Sequence, residues 1–218
     1  MSEARERDRE ATKARLLQSV EALIREEGFG ALGINALAKR AGTDKVLIYR
    51  YFGGLAGLLS AYAEEGDFWW HVDDILAEPL PGPDEADGLS RCLGVIFARH
   101  AAFLRAHAVA LEVIAWEIAQ RNELTEALES VRESRSQEMM RRLAARFDLD
   151  VREFLASVGP LFALLGAAAN YLAARGRRLR IFNGIDLQSD EGWRTLERSA
   201  ARMIAGVASG AFSTYSTQ

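Results

Sequence analysis

The chain has 218 residues, of which 49% are hydrophobic and 27% charged. This composition excludes a disordered chain, a collagen-like repeat and a protein with several membrane spans. The net charge of −4 argues against a nucleic-acid partner when the whole chain is considered. However, residues 1–60 carry 10 Lys and Arg against 8 Asp and Glu, whereas residues 61–218 carry 17 against 23. The local excess of +2 suggests a nucleic-acid contact at the N-terminal end.

Cysteine content and the N-terminal residues indicate the compartment. Cys92 is the single cysteine, so the chain cannot form an internal disulfide, and nothing indicates an oxidising environment. The first fifteen residues are rich in charge and lack the apolar run of a signal peptide. We therefore expect a cytoplasmic protein.

Apolar residues recur with the 3.6-residue period of helices almost throughout, without a convincing alternating strand pattern, which predicts an all-α fold. A first helix is predicted over 12–27 and ends at Gly28, and a short second helix follows over 33–41. Asp44 is predicted to be the N-cap of a third helix that runs to about residue 51. The remaining helices are predicted at 55–77 and at about 88–106, 108–119, 122–147, 151–175 and 190–212.

A stretch of 21 residues, 154–174, carries no formal charge and is long enough to span a membrane. Pro160, two glycines and seven alanines weaken that interpretation. We favour a helix that is covered on all sides by its own domain and by a partner. Because the final helix has an apolar stripe too, these two helices and their copies in a second chain would form a four-helix bundle.

Residues 33–52 contain the most informative motif. Two short helices joined by a tight turn at Gly42 form a helix-turn-helix, whose second helix enters the DNA major groove. The predicted buried contacts between the helices are Ile34, Leu37, Ala41, Ile48 and Phe52. The predicted outward side chains of the second helix are Lys45, Val46, Tyr49 and Arg50.

At these residues the sequence resembles the TetR family of bacterial transcriptional regulators. The family pattern is Ala-Gly at the turn, then an aliphatic residue, Tyr, any residue, Tyr and Phe, and Ala41-Gly42 and residues 48–52 meet it. The motif resemblance covers about residues 12–60. It implies a homodimer with an N-terminal DNA-binding domain (1–54) and a larger C-terminal domain (55–218) for dimerisation and effector binding.

The resemblance also implies a set of DNA-binding residues. Tyr49 and Tyr51 would donate hydroxyl hydrogen bonds to phosphates, Lys45 and Asn35 would reach bases or backbone, and Arg50 faces outward beside them. Phosphate contacts fix the register on the duplex, whereas contacts to base edges specify sequence.

Two residues depart from the family pattern. Gly33 stands where a hydroxyl residue usually begins the second helix, and Leu55 stands where Lys usually begins the fourth. A weaker helix cap and the loss of one phosphate contact follow, and we expect a lower operator affinity than the pattern suggests.

Two other N-terminal features have simpler interpretations. Arg5, Arg7 and Arg9 alternate with acidic residues, so a frayed terminus is favoured over an arm in the minor groove. Residues 28–33 satisfy the dinucleotide-binding pattern G-x-G-x-x-G, but they follow a helix instead of a strand, so we discount that function.

Aromatic and polar residues of the C-terminal part suggest an effector pocket, because such cavities have apolar walls with a few polar groups. The candidate ligand-binding residues are Trp70, His71, His100, Trp116 and Asn170. Asp67, His71 and Asp74 have the spacing of a metal site on a helix, but a solvated face is favoured, and we predict no metal or other cofactor. No catalytic signature accompanies the three histidines, so we do not expect an enzyme.

The sequence therefore predicts a sequence-specific DNA-binding regulator, a repressor that a small-molecule effector releases from its operator. In the DNA-bound dimer the two recognition helices would lie roughly 34–36 Å apart. The effector would displace the fourth helix and change this spacing. The alternatives are a helical small-molecule- or metal-binding enzyme with a vestigial DNA-binding fold, and a protein with a single membrane span.

Overall fold

The computed structural model describes residues 2–66 and 68–212, and the chain divides into two compact units. The first unit contains the residues up to Trp69 together with His107–Ser134, and the second contains Trp70–Ala106 and the residues from Arg135 onwards. The division at residue 54, which separates predicted functions, stays a prediction. The helices are α1 (Ser2–Glu27), α2 (Ile34–Ala41), α3 (Val46–Phe52), α4 (Leu55–Glu65), α5 (Val72–Ile75), α6 (Gly88–Ala106), α7 (Ala108–Ala119), α8 (Glu123–Arg146), α9 (Val151–Gly176) and α10 (Asp190–Phe212).

The all-α architecture is confirmed, and the five helices from α6 onwards agree with their predicted bounds to within one residue. A short hairpin between α9 and α10 was missed: β1 (Ile181–Phe182) pairs antiparallel with β2 (Ile185–Asp186). Its two turn residues, Asn183 and Gly184, have φ angles of 47° and 79°. Asn-Gly is favoured in two-residue hairpin turns because both positions need positive φ.

Helix α1 begins at Ser2, ten residues before its predicted start, so the expected frayed terminus is wrong for the described residues. The buried apolar residues of α1 begin at Leu16, so burial cannot account for this extension. Charged pairs one turn apart support it instead, with Glu6 and Arg9 3.4 Å apart and Glu10 and Lys13 3.0 Å apart. Local ion pairing therefore continues the helix where tertiary burial ends.

The helix-turn-helix forms from α2 and α3, packed against α1 and α4 respectively. Gly33 is the N-cap of α2 and provides no side-chain hydrogen bond, as its residue type predicts. Gly42 ends that helix in the left-handed region, with φ 63°. The predicted anchors Leu37, Ala41 and Ile48 are buried, whereas Ile34 and Phe52 are half-buried, which corrects the prediction for those two.

The predicted long fourth helix is wrong: α4 ends at Glu65, and the short helix α5 follows. The Gly66 N–H donates to the Tyr62 carbonyl oxygen over 2.8 Å, and a Cβ at Gly66 would lie only 2.5 Å from that oxygen. The apolar residues Phe68 and Trp69 are buried core after the helix, not its continuation. The helical spacing proposed for a metal site is therefore lost, and Asp67 lies outside the described residues.

In the second unit, α6 packs against both α9 and α10. Trp193 is buried there, and its Nε1–H donates to the Leu187 carbonyl oxygen over 2.9 Å. Other buried side chains on these three helices include Cys92, Leu93, Ile96, Phe154, Val158 and Ile204. One side of α6 and one stripe of α10 thus form the core that supports α9.

Helix α9 is long and apolar enough to cross a membrane, but only 17% of its most apolar window is buried within the protomer. Its buried residues form one stripe: Phe154, Val158, Leu165, Ala169 and Ala173. The opposite side exposes Leu164 and Tyr171. The apolar stripe predicted on α10 does not all face a second copy. Trp193 and Ala200 of this stripe are buried within the protomer, whereas Met203 is exposed.

Candidate nucleic-acid interface and effector site

Helix α3 is held at both ends and by one buried anchor. The Asp44 carboxylate accepts a hydrogen bond from the Val46 N–H over 2.8 Å, so the predicted capping bond is confirmed, although Lys45 occupies the N-cap position itself. The Ile48 side chain, on the inner side of α3, is fully buried. At the other end, the Gly53 N–H donates to the Tyr49 carbonyl oxygen over 2.9 Å. These contacts fix which side of α3 faces outward.

Four of the five predicted DNA-binding residues are exposed: Asn35, Lys45, Tyr49 and Arg50. Tyr49 is 56% exposed. Neither Lys45 nor Arg50 forms an ion pair within the described part of the chain. We name this set of four residues the reading surface. Its cations, amide and phenol are all hydrogen-bond donors suited to phosphate and base acceptors.

The fifth residue, Tyr51, is half-buried, and the Arg9 guanidinium lies 5.8 Å from the centre of its ring. The residues of the arginine-rich segment were expected to fray, so this contact could not be predicted. Tyr51 therefore has a packing partner in α1, and its phosphate contact stays a prediction.

Two of the predicted ligand-binding residues contact each other in the second unit. The Trp70 Nε1–H donates to His100 Nδ1 over 3.0 Å, and the two rings meet edge-on with centroids 6.4 Å apart. His71, the N-cap of α5, directly follows Trp70 in the sequence and is half-buried. Asn170, in the same unit, has a buried Oδ1 without a hydrogen-bond partner among the described residues.

Trp116, the fifth predicted ligand-binding residue, belongs to the first unit. Its ring packs against Phe29, with ring centroids 4.9 Å apart, in the short 3-10 turn between α1 and α2. A Cβ at Gly30 would lie 3.1 Å from the Trp116 ring, so only a glycine fits there without displacement. Trp116 thus joins α7 to the DNA-binding helices, and a ligand-binding role for it stays a prediction.

Sequence reasoning missed a buried ion pair between Glu117 of α7 and Arg132 of α8. The two side chains are 12% and 19% exposed, and the Arg132 guanidinium lies 5.1 Å from the centre of the Trp69 ring. Burial raises the pKa of Glu117 to about 7, with Arg132 opposing the rise and Glu129 adding to it. No spacing rule predicts a pair between two helices, so the sequence contained no usable signal.

The anchored α3 and its exposed donors define a class, the helix-turn-helix DNA-binding proteins. Residues 16–62 match the family described as bacterial regulatory proteins, tetR family. The HTH-type transcriptional repressor SCO4008 of Streptomyces coelicolor is 29% identical over 204 residues, which are 91% of this chain and 97% of that protein. The chain is therefore similar to TetR-family transcriptional regulators over residues 16–62, and to one HTH-type repressor over most of its length.

Two solved structures share the fold at low sequence identity. The fatty acid degradation regulator FadR from Bacillus halodurans superposes with a TM-score of 0.57 at 20% identity, covering 88% of this chain and 97% of its own. FadR from Bacillus subtilis, solved in complex with stearoyl-CoA, gives 0.56 at 15% identity and covers 89% and 98%. The similarity extends beyond the matched DNA-binding residues into the C-terminal helices.

Proposed function

We propose that the protein is a homodimeric repressor that binds its operator through the reading surface and releases it when a small-molecule effector binds. The observation that carries this proposal is α3 itself, with Ile48 fully buried and Lys45, Tyr49 and Arg50 exposed on the other sides. A buried anchor fixes the helix, so its exposed donors meet the duplex in one orientation.

Within the reading surface, we assign Tyr49 to a phosphate, since a neutral phenol donates one hydrogen bond without sequence information. Lys45, at the start of α3, and Asn35, the second residue of α2, reach bases or backbone. Arg50 carries a full positive charge and lowers the electrostatic cost of approaching the polyanion. Tyr51 contributes its hydroxyl from a ring that is half-buried under Arg9.

The proposed dimer forms through the side of α9 that its own chain leaves exposed. Leu164, which is 71% exposed, and Tyr171 lie seven residues apart, and Met203 of α10 is exposed as well. Seven residues are close to two helical turns, so Leu164 and Tyr171 share one face. A second copy that pairs α9 and α10 with this face buries it in an isologous four-helix bundle. The membrane-span alternative requires lipid to take the place of that copy.

For the effector to release the operator, its binding must move the helices that carry the reading surface. The expected continuous fourth helix does not provide it, because α4 ends at Glu65. We infer that α7 acts with α4: α7 packs against α1 and the 3-10 turn, and Trp116 contacts Phe29 in that turn. A shift of α7 on effector binding would therefore tilt α1 and α2, and a ligand favours whichever state it binds more tightly.

We place the effector in the second unit, against Trp70, His71, His100 and Asn170. The buried Asn170 Oδ1 offers an acceptor to a ligand donor. We propose a regulator that acts in the cytoplasm, where its DNA is, and that has no catalytic activity. The described residues include no cluster of three or more His, Cys, Asp or Glu side chains able to hold a metal.

The test is selection of bound sites from random duplex DNA with the full chain. We expect an enriched inverted repeat whose half-sites are about one helical turn apart, roughly 34–36 Å. A Tyr49→Phe, Lys45→Ala double variant is the control and should enrich the same sequence more weakly. Recovery of no common sequence, or of a single asymmetric half-site, would overturn the proposal.

A further inference from the structure

We propose that Val46 reads the 5-methyl group of a thymine in each operator half-site. This inference rests on the proposed function, and it adds an apolar base contact to the hydrogen-bond donors of the reading surface. Val46 is the first residue of α3 and is 61% exposed.

The position of Val46 on the helix is what singles it out. With about 100° between successive residues, Val46 lies roughly 160° around α3 from the buried Ile48. Tyr49 and Arg50 lie on either side of it, roughly 60° and 40° away. When α3 enters a groove with Ile48 at its back, Val46 points most directly at the base edges and its two neighbours point towards the groove walls.

The chemistry of the three side chains agrees with these directions. Tyr49 and Arg50 carry donors that suit the phosphates of the groove walls. Val46 has no polar atom and can contact a base edge only through its methyl groups. The thymine 5-methyl is the apolar group that base pairs present in the major groove, so it is the base feature that Val46 fits.

Val46 is also held in place before DNA arrives. Its N–H donates to the Asp44 carboxylate over 2.8 Å, which fixes the backbone at the start of α3. A β-branched side chain in a helix has one strongly preferred χ1 rotamer, so little side-chain entropy is lost on contact. A rigid apolar contact at this point discriminates between thymine and a base without the methyl group.

The experiment replaces each thymine of the selected operator with deoxyuridine, which lacks only the 5-methyl group, one position at a time. At one position per half-site, we expect the wild-type affinity to fall about fourfold, the equivalent of about 0.8 kcal/mol for one buried methyl-sized group. With Val46→Ala, affinity for the thymine operator should fall by a similar factor and the deoxyuridine effect at that position should vanish. Tyr49→Phe is the control and should keep the full deoxyuridine effect.

Each outcome separates this inference from the proposed function. If the protein selects an operator but no deoxyuridine substitution depends on Val46, the inference is wrong and the proposed function stands. The same holds if Val46→Ala weakens thymine and deoxyuridine operators equally, since that result indicates contact with the backbone. If the protein selects no DNA, both fail. Val46→Thr, which keeps one methyl group, should retain part of the thymine preference, and loss of all preference with it would count against the inference.

Discussion

Helices α3 and α9 each bury one stripe of side chains, but the stripes that they expose differ in chemistry. On α3, Ile48 is buried, whereas the polar side chains Lys45, Tyr49 and Arg50 are exposed together with the apolar Val46. On α9 the buried stripe that includes Leu165 stands opposite Leu164 and Tyr171 in a helix with no formal charge from 154 to 174. The first surface suits a polyanion, and the second suits a copy of itself.

The difference teaches how one chain divides its two binding tasks. Donors that face water lose little by remaining solvated until a phosphate replaces the water, whereas an exposed apolar helix face is costly until it is covered. We therefore expect the α9 face to be occupied permanently and the reading surface to be occupied only on DNA. Three changes test this contrast, and a fourth tests the buried charge pair between α7 and α8.

The largest effect should come from a charge on the α9 face. Leu164→Asp places a carboxylate against its own copy in the bundle, so the dimer should dissociate and operator affinity should fall at least a hundredfold, a loss of roughly 3 kcal/mol or more. Light scattering and operator titration measure the two effects. Ala145→Asp, at an exposed position on α8, is the matched control and should leave both unchanged. A dimeric Leu164→Asp protein would place the interface elsewhere.

The second effect concerns a charge that faces neither water nor DNA. Because the pKa of Glu117 is raised to about 7, the folded state binds an extra proton between about pH 4.5 and 7. The stability of the wild type should therefore decrease as pH rises through that range. Between pH 5 and 8, we expect the wild type to lose about 2 kcal/mol more stability than Glu117→Gln. Glu138→Gln, at an exposed site on α8, should keep the wild-type pH dependence, and urea titrations at both pH values provide the comparison. Equal slopes for wild type and Glu117→Gln would show that Arg132 holds Glu117 charged.

Removing one of the two cations of the reading surface should have a smaller effect that depends on salt. Lys45→Ala should lower operator affinity about tenfold at low salt, since one lost phosphate contact also reduces the slope of log affinity against log salt by about one. Fluorescence anisotropy over a range of salt concentrations measures it. Lys39→Ala is the control, because Lys39 is an exposed lysine in the last turn of α2, outside the reading surface. An unchanged slope would show that Lys45 does not contact a phosphate and would favour a contact with a base instead.

The smallest effect is the loss of one hydroxyl. Tyr49→Phe should weaken binding to all duplexes alike by about 1 kcal/mol, or about fivefold, the contribution of one ordinary hydrogen bond. Tyr171→Phe removes the same group from α9, outside the reading surface, and should leave DNA binding unchanged. Competition with specific and random DNA is the measurement. A change in sequence preference with Tyr49→Phe would contradict its assignment to a phosphate.

The same contrast explains which parts of the fold could be predicted. The helices from α6 onwards were predicted to within a residue because tertiary burial gives them a regular apolar period. The break after Glu65 was missed because Phe68 and Trp69 continue that period although they fill the core beyond the helix. The start of α1 was missed for the opposite reason, since ion pairs such as Glu10–Lys13 support a helix without apolar residues.

The candidate sites divide in a similar way. Lys45 and Tyr49 could be placed on the outer face of α3 because their direction depends on local helical spacing. The buried Glu117–Arg132 pair and the Trp116–Phe29 contact join segments distant in sequence, and no local pattern specifies such pairs. The hairpin was missed although a local pattern predicts it, since Asn183-Gly184 between two short apolar runs favours a hairpin turn.

The most direct test of the central claim is photo-crosslinking of the full chain to its selected operator, with p-benzoylphenylalanine replacing Tyr49 in one protein and Tyr171 in another. If the exposed face of α3 meets the duplex and that of α9 meets a second copy, residue 49 should crosslink to DNA and residue 171 to protein. Crosslinks to DNA from residue 171, or none from residue 49 in a protein that still binds the operator, would contradict that assignment.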